Sequence, residues 1–169
     1  MSKHIMKFTD ISEEVIEQLG RGAFLTVKNG DKINTMTIGW GQLGIMWGLP
    51  VFVVPVRFSR HTHSMLQNTD QFTVSVPRRS TMTKELAFCG SRSGRDTDKI
   101  KVLGLTLENA ENIDTPVIGN CRYHFECRIL ARVPLSESDF SSEHKERFYK
   151  GDDYHELFYG EIITCYMSS

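Results

Sequence analysis

The stretch Cys121-Arg-Tyr-His-Phe-Glu-Cys-Arg-Ile129 is the clearest β-strand in the sequence. Its residues alternate without a break between two classes, and a strand places successive side chains on opposite faces. One face carries apolar and thiol side chains, and the other carries charged and imidazole side chains. We therefore expect the first face, with Cys121 and Cys127, to lie in the core. The second face, with His124 and Glu126, is expected to meet solvent.

Further strand-like runs lie on both sides of this one. The strongest signal is a hairpin, because Asn29-Gly30 separates Ala23–Lys28 from Lys32–Ile38 and favours positive φ at both turn positions. Pro50 and Pro55 are expected to limit two later strands, since proline cannot donate a hydrogen bond to a neighbouring strand. The other predicted strands are Leu43–Trp47, Val51–Val56, Gln71–Val76 and Leu157–Tyr166.

Short helical patterns stand between these strands. One helix is predicted to start at Asp10, which has capping-box spacing to Glu13, and to end before Gly20. The strands do not alternate regularly with long helices, which argues against a doubly wound parallel sheet. The pattern favours a mainly β fold, a mostly antiparallel barrel with a few short peripheral helices. The other predicted helices are Ser59–Gln67, Thr81–Phe88, Asp96–Leu103 and Ser136–Lys150.

The bulk composition is that of an ordinary globular protein. The chain has 169 residues, 40% of them hydrophobic and 24% charged, and no repeat or linker divides it. We therefore predict one domain over residues 1–169. A net charge of −1 gives no reason to expect nucleic acid or a membrane as a partner. The N-terminus lacks the apolar core of a signal peptide, so the expected location is the cytoplasm.

Neither the cysteines nor the histidines predict a metal site. The four cysteines, at positions 89, 121, 127 and 165, form no C-x-x-C pair and no paired Cys/His zinc spacing. We expect them to be free thiols in a reducing compartment. His61 and His63 stand two residues apart, which places them on different faces of a helix.

One glycine pattern is misleading. Gly39-Trp-Gly41-Gln-Leu-Gly44 matches the G-x-G-x-x-G dinucleotide fingerprint, which requires a helix to open on it and an acidic residue about 20 positions later. Gly48 and Pro50 prevent that helix, and no acidic residue lies near position 60. A Rossmann fold is therefore disfavoured, and the glycines are better explained by a bent barrel strand or by close approach of the backbone to a flat ligand.

The segment Arg57-Phe-Ser-Arg-His-Thr62 is the best candidate for an anion site. Two guanidinium groups and two hydroxyls are close together there, at the predicted start of a helix, and each favours a phosphate. A solvated basic turn explains the same residues equally well from the sequence alone. No nucleophile elbow, H-E-x-x-H motif or Walker loop is present, so no residue is predicted to act as a catalytic acid, base or nucleophile.

Taken together, several segments resemble the flavin reductase-like family of FMN-binding split barrels. The first is Asn34-Thr-Met-Thr-Ile-Gly-Trp40, and the second is Val54-Pro-Val-Arg-Phe-Ser-Arg-His-Thr62, followed by Gln71-Phe-Thr-Val-Ser-Val-Pro77. The third is Cys89-Gly-Ser-Arg-Ser-Gly-Arg-Asp-Thr-Asp-Lys99, and His155-Glu-Leu-Phe-Tyr-Gly-Glu161 is similar to the family's last strand. The resemblance covers nearly the whole chain and implies an antiparallel split β-barrel.

The resemblance also implies roles for individual residues. The backbone along the flavin ring and the hydroxyl of Thr37 would meet the polar edge of the isoalloxazine. A basic turn would hold the FMN phosphate, and a polar loop would close over the flavin. The ring residues implied are Met36, Thr37, Ile38, Gly39 and Trp40; the phosphate residues are Arg57, Ser59, Arg60 and Thr62; the loop residues are Ser91, Gly94 and Lys99.

The function implied is an NAD(P)H-dependent flavin reductase that transfers hydride from a nicotinamide to the flavin, with FMN as cofactor. Members of the family are typically homodimers in which one subunit can complete the other's site. An alternative is a flavoredoxin-like carrier that keeps FMN tightly bound, does not oxidise NAD(P)H and docks to a redox protein. A second alternative is a binder that has kept only the fold and no longer needs flavin.

Overall fold

The computed structural model describes residues 2–168, and within them the chain forms ten strands, five α-helices and one short 3₁₀ helix. The strands are β1 (Lys3–Ile5), β2 (Ala23–Asn29), β3 (Lys32–Ile38), β4 (Gln42–Met46), β5 (Leu49–Arg57), β6 (Gln71–Val76), β7 (Leu107–Glu108), β8 (Val117–Ile118), β9 (Tyr123–Pro134) and β10 (His155–Ser168). The helices are α1 (Phe8–Leu19), α2 (His61–Leu66), α3 (Thr83–Ser91), α4 (Lys99–Leu103) and α5 (Ser142–Phe148), with the 3₁₀ helix at Glu137–Asp139.

The main sheet is antiparallel and curls into a split barrel. Its strand order is β3-β2-β6-β9-β10-β5-β4, with β1 added on β10, and β7 and β8 form a separate pair. Two register shifts in the β9–β10 pairing, at Tyr159/Gly160 and Ile162/Thr164, bend these long strands. The mainly β, antiparallel split-barrel prediction with a few short helices is confirmed.

Strand β9, which was predicted as Cys121–Ile129, is longer than expected, and one of its faces was assigned wrongly. His124 and Glu126 are both 0% exposed rather than in solvent. The loop before β8 covers Glu126, because the backbone N–H groups of Glu111 and Asn112 donate to its two carboxylate oxygens at 2.6 and 2.8 Å. Burial lowers the pKa of His124 to about 4, so its imidazole is neutral at neutral pH. The prediction holds for Arg128, which is exposed.

Both hairpins at the edges of the sheet depend on residues with positive φ. Asn29 pairs with Lys32, so the β2–β3 turn is Gly30-Asp31, one residue later than predicted, with φ of 58° at Gly30. Trp47 and Gly48 form the β4–β5 turn, with φ of 53° and 74°. Pro50 and Pro55, which were predicted to limit these strands, both lie inside β5. The pairing of β5 with β4 extends only to Val53 and so ends before Pro55.

Helix boundaries differ from the predictions by a few residues. The helix expected from Asp10 begins at Phe8 and has no side-chain cap, and the one expected from Ser59 begins at His61. Helix α3 continues through Gly90 instead of stopping before it. Helix α4 starts later than expected because the carboxylate of Asp98 caps it, accepting from the N–H of Lys101. The segment expected to form one helix over Ser136–Lys150 forms the 3₁₀ helix and α5.

Two hydrophobic clusters stabilise the fold. The larger fills the barrel, where Gly160 makes room for the ring of Phe72, since a Cβ on this glycine would lie 2.4 Å from that ring. The smaller cluster, which includes Phe24, Leu86 and Cys121, packs α3 against the outer side of β2. All four cysteines are free thiols, as predicted, and all four are buried, including Cys121 and Cys127, which were expected in the core. The smaller cluster fixes α3, and therefore the polar loop that follows it, beside β3.

No helix between residues 2 and 168 is both long enough and apolar enough to cross a membrane.

Candidate functional site

Two adjoining cavities lie where β3, β5 and the loop after α3 meet. We call the first, of about 190 Å³, the strand cavity, and the second, of about 140 Å³, the loop cavity; both are lined by Met36 and Arg60. The strand cavity is also lined by Thr37, Ile38, Gly39, Trp40, Pro55, Arg57 and His155. The loop cavity also has Asn34, Ser59, His61, Thr62, Cys89, Ser91, Arg92, Ser93, Gly94, Arg95 and Lys99. Every site residue predicted from the sequence lines one of these two cavities.

The end of β3 and the residues after it form one wall of the strand cavity. The hydroxyl of Thr37 donates to the carbonyl oxygen of Leu86 at 2.6 Å and so ties β3 to α3. A Cβ on Gly39 would meet only the Leu19 carbonyl oxygen, at 3.9 Å, so packing does not require glycine at this position. The wall is therefore a fixed stretch of backbone whose side toward the cavity remains open.

Aromatic rings close one side of the strand cavity. The Trp40 ring is 48% exposed, and its centroid lies 5.3 Å from that of His155 and 5.8 Å from that of Phe148. The Nδ1 atom of His155 is 2.9 Å from the hydroxyl of Tyr149. Burial, and then the charge of Arg57, lowers the pKa of His155 to about 4. The imidazole is therefore neutral at neutral pH and available for hydrogen bonds rather than for charge pairing.

Arg57 and Ser59 are engaged by the segment between α5 and β10. The guanidinium of Arg57 donates to the carbonyl oxygens of Phe148 and Asp153 and lies over the ring of Tyr149. The N–H and hydroxyl of Ser59 donate to the two carboxylate oxygens of Asp153 at 3.1 and 2.6 Å. Arg57 lines the strand cavity, away from the loop cavity where Ser59 and Thr62 lie, so the four residues expected on the phosphate are divided between the two cavities.

The loop cavity depends on close packing between β3, α2 and the loop after α3. The buried Asn34 side chain donates to the hydroxyl of Thr62 at 2.8 Å. Gly94 lies directly on Asn34, because a Cβ at this glycine would be 2.1 Å from the amide oxygen. Ser91 donates to the carbonyl oxygen of Ala87, within its own helix. The cavity therefore has a rigid side at β3 and α2.

Positive charge dominates the loop cavity. Lys99 is 3% exposed, and its ammonium group donates to the carbonyl oxygen of Cys89 at 3.3 Å. Over residues 2–168, no ion pair within 4 Å includes Lys99. Burial lowers the pKa of His61, and the charges of Arg95, Lys99 and Lys32 lower it further. A buried ammonium without a carboxylate is costly, so an anion bound in this cavity would be favourable.

Several residues at the site were not predicted as ligands, among them Asn34, Arg95, Asp153 and His155. Asn34, Arg95 and His155 belong to segments quoted for the family resemblance, and Arg95 donates to the carbonyl oxygen of Ser59 at 2.9 Å. His155 follows the last polar turn before β10, and Asp153 lies within that turn. His155 reaches the site through pairing of β10 with β5, and Asp153, just before β10, comes with it through a long-range contact that has no local signal in the sequence.

The family model described as the flavin reductase-like domain matches residues 18–169. The chain belongs to this family. A relative from Archaeoglobus fulgidus, described as an uncharacterised protein, is 28% identical over 140 residues, which cover 83% of this chain and 68% of the relative. An uncharacterised protein of Pyrococcus abyssi is 25% identical over 139 residues, covering 80% of this chain and 67% of that protein.

Solved structures of other proteins share the fold of this flavin reductase-like domain. A flavoredoxin from Methanosarcina acetivorans has a TM-score of 0.69 and 24% identity, over 88% of this chain and 68% of that chain. An FMN-binding domain of a flavin reductases-like enzyme from Shewanella baltica has a TM-score of 0.71 and 16% identity, over 98% and 77%. At these identities the likeness supports the split-barrel fold, while the ligand and reaction of this chain must be argued from its own residues.

Proposed function

We propose that this flavin reductase-like domain binds FMN across the strand and loop cavities and acts as an NAD(P)H-dependent flavin reductase. One observation carries the proposal. The residues expected to meet the flavin ring and those expected to meet its phosphate line two adjoining cavities, and the second contains a buried ammonium, Lys99, with no carboxylate partner in residues 2–168. A phosphate would supply the missing negative charge.

The loop cavity would hold the phosphate. Lys99 offers a buried positive charge, and Arg60 adds a guanidinium whose Nη1 donates to the carbonyl oxygen of Gly90 at 3.2 Å. The Thr62 hydroxyl accepts from Asn34, so its own hydrogen is free for an anion. Ser91 and Gly94 would contribute backbone on the opposite side of the cavity. This division leaves Arg57 nearer the flavin ring than the phosphate.

The strand cavity would hold the ring. The backbone over Met36–Trp40 would face the polar edge, and the Thr37 hydroxyl, whose hydrogen is used by Leu86, would act there as an acceptor. The neutral His155 and the exposed Trp40 would limit access of water at the open side. When bound, FMN would supply the hydride and electron transfer chemistry, for which this chain needs no acid, base or nucleophile.

The proposal includes a homodimer. The β4–β5 hairpin exposes apolar side chains at its tip, with Ile45 at 64%, Met46 at 40% and Trp47 at 62% exposure. Exposed apolar residues grouped at one point favour a protein contact over open solvent. A second copy of the chain is the partner proposed for this hairpin, and a sedimentation measurement of the purified protein tests it.

An electron carrier is the second candidate function. The solved structures that share the fold include flavoredoxins from Methanosarcina acetivorans and Desulfovibrio vulgaris (Miyazaki F). The half-exposed Trp40 at the open side of the strand cavity favours this candidate too, because a docked redox protein would contact it directly. In this case FMN stays bound and the protein does not oxidise NAD(P)H by itself.

Anaerobic mixing of the FMN-loaded protein with NADH, and separately with NADPH, tests the proposal and distinguishes the candidates. Rapid bleaching of the flavin absorbance by either nicotinamide is the result expected of a reductase. Bound flavin that persists with both nicotinamides but is bleached by dithionite supports the carrier. A protein that is colourless once unbound FMN has been removed overturns both candidate functions and supports a fold that no longer uses flavin. Free FMN at the same concentration is the control for uncatalysed reduction.

A further inference from the structure

A carboxylate of the chain itself holds the donors of Ser59, one of the residues expected on the phosphate. The two oxygens of Asp153 accept the backbone N–H and the hydroxyl of Ser59 at 3.1 and 2.6 Å. A bound phosphate would accept the same two charge-assisted hydrogen bonds, one from the serine hydroxyl and one from the backbone N–H. Arg95 holds the carbonyl oxygen of Ser59 at 2.9 Å, so the donors of Ser59 are fixed in direction.

The same part of the chain also holds Arg57, a second residue expected on the phosphate. The guanidinium of Arg57 donates to the main-chain carbonyl oxygens of Asp153 and of Phe148, the latter at 2.9 Å. The N–H of Phe58 donates to the carbonyl oxygen of Tyr154 at 3.1 Å. Of the four residues expected on the phosphate, Arg57 and Ser59 are therefore bound to one short segment, while Arg60 and Thr62 are not.

The negative charge of Asp153 is not neutralised by a paired cation. Within residues 2–168, no ion pair shorter than 4 Å includes this carboxylate. A phosphate entering the loop cavity, which Ser59 lines, would compete with this carboxylate for the donors of Ser59 and would be repelled by its charge. The carboxylate thus opposes the attraction that Arg60 and Lys99 exert on the same ligand.

The segment that carries Asp153 is an exposed turn between α5 and β10. Gly151 and Asp152 precede it with φ of 86° and 58°, and both are exposed. Helix α5 ends just before, and β10 begins at His155, where pairing with Arg57 of β5 starts. The Asp153 side chain can therefore turn away from Ser59 without disturbing either the barrel core or the pairing of β10.

We propose that Asp153 is an internal competitor for the flavin phosphate, which weakens FMN binding so that the flavin exchanges as a substrate instead of remaining a fixed prosthetic group. This inference rests on the proposed FMN site and adds how tightly that site holds its ligand. It separates the two candidate functions, because a carrier requires FMN to remain bound and a reductase that releases reduced flavin does not.

The test is the affinity of the Asp153→Asn variant for FMN and for riboflavin, which lacks the phosphate. Asparagine keeps the size and one acceptor oxygen but removes the charge. We expect the Kd of FMN to fall about tenfold, as expected for loss of one like charge at short range, and the Kd of riboflavin to stay unchanged. The gain should shrink as salt is raised, because exposed charges are screened. Stopped-flow displacement should show slower FMN release.

Asp152→Asn is the matched control, because Asp152 bonds the hydroxyl of Tyr154 and contacts neither Ser59 nor Arg57. It should leave both affinities unchanged. If the Asp153→Asn protein does not fold, Asp153→Ala repeats the test. Weaker or equal FMN binding by the folded variant, or an equal change for riboflavin, overturns the inference and assigns Asp153 a purely structural role. Failure of the native protein to bind either flavin would instead overturn the proposed function.

Discussion

The side-chain amide of Asn34 donates a hydrogen bond of 2.8 Å to the hydroxyl of Thr62 and so joins β3 to α2 beside the loop cavity. Both residues are buried, at 7% and 1% exposure. Buried hydrogen bonds of this kind fix orientation, because breaking one leaves two polar groups without partners. The relative position of the proposed ring site on β3 and the proposed phosphate site on α2 depends on this bond.

Gly94→Ala should disturb that bond. The added Cβ would lie 2.1 Å from the Asn34 amide oxygen and 2.9 Å from the His61 ring, so Asn34 must move. We expect a loss of about 1–3 kcal/mol in the free energy of unfolding and at least about a tenfold rise in the Kd of FMN. Urea denaturation and a fluorescence titration measure the two effects. Gly44→Ala is the control, because nothing lies within 4 Å of a Cβ there; equal effects at both positions would argue against this role of Asn34.

Lys99→Met should change stability and affinity in opposite directions. Burial lowers the pKa of Lys99, which reflects the cost of keeping an ammonium away from water. Without ligand, the methionine variant should therefore be as stable as the native protein or more stable. Its Kd for FMN should rise at least about tenfold while that for riboflavin stays constant. Loss of stability with unchanged FMN binding would show that Lys99 serves the fold rather than the phosphate.

Glu126→Gln should destabilise the protein although it replaces one residue by another of equal size. The two oxygens of Glu126 accept the N–H groups of Glu111 and Asn112, and an amide can offer only one acceptor to those two donors. We expect a loss of about 2 kcal/mol in the free energy of unfolding, within the range for hydrogen bonds to a buried charge. Arg128→Gln, on the same strand but exposed, should cost little by comparison. Similar losses for both variants would contradict this role of the Glu126 carboxylate.

Stability should fall as the solution is acidified below pH 6.5. The folded-state pKa of both His124 and His155 is lowered to about 4, so each is neutral in the native state while the unfolded chain binds a proton near 6.5. The contribution is full above pH 6.5 and is lost between there and pH 4, with a slope of about 1.4 kcal/mol per pH unit for each residue. Urea midpoints from pH 7 to pH 5 measure it. His155→Gln should reduce the slope, and an unchanged slope would show that His155 titrates normally.

The sequence predicted the barrel because its signals are local. The alternation from Tyr123 to Ile129 and the glycine between β2 and β3 are read within a few neighbouring positions. The burial of Glu126 depends on N–H groups 14 and 15 residues away, in a segment without a pattern of its own. Apolar alternation indicates that one face is buried, but it does not reveal that a loop covers the other face.

The grouping of the predicted site residues follows from local signals as well. The predicted ligands fall in three short segments whose polar and glycine residues stand out, and the fold brings those segments together around the two cavities. The contact of Asp153 with Ser59 spans 94 positions and has no sequence signature. The resemblance implied that Arg57 and Ser59 share the phosphate, but Arg57 ends β5 and lines the strand cavity, whereas Ser59 follows the strand and lines the loop cavity.

The proposed site would hold FMN by its phosphate in the loop cavity as well as by its ring in the strand cavity. The most direct measurement is a parallel titration of FMN and riboflavin into the native protein and into Arg60→Ala, with Arg128→Ala as the surface control. We expect the native protein and the control to bind FMN at least about tenfold more tightly than riboflavin. We expect Arg60→Ala to lose most of this difference. Equal affinity of the native protein for both flavins, or no binding of either, would contradict the claim.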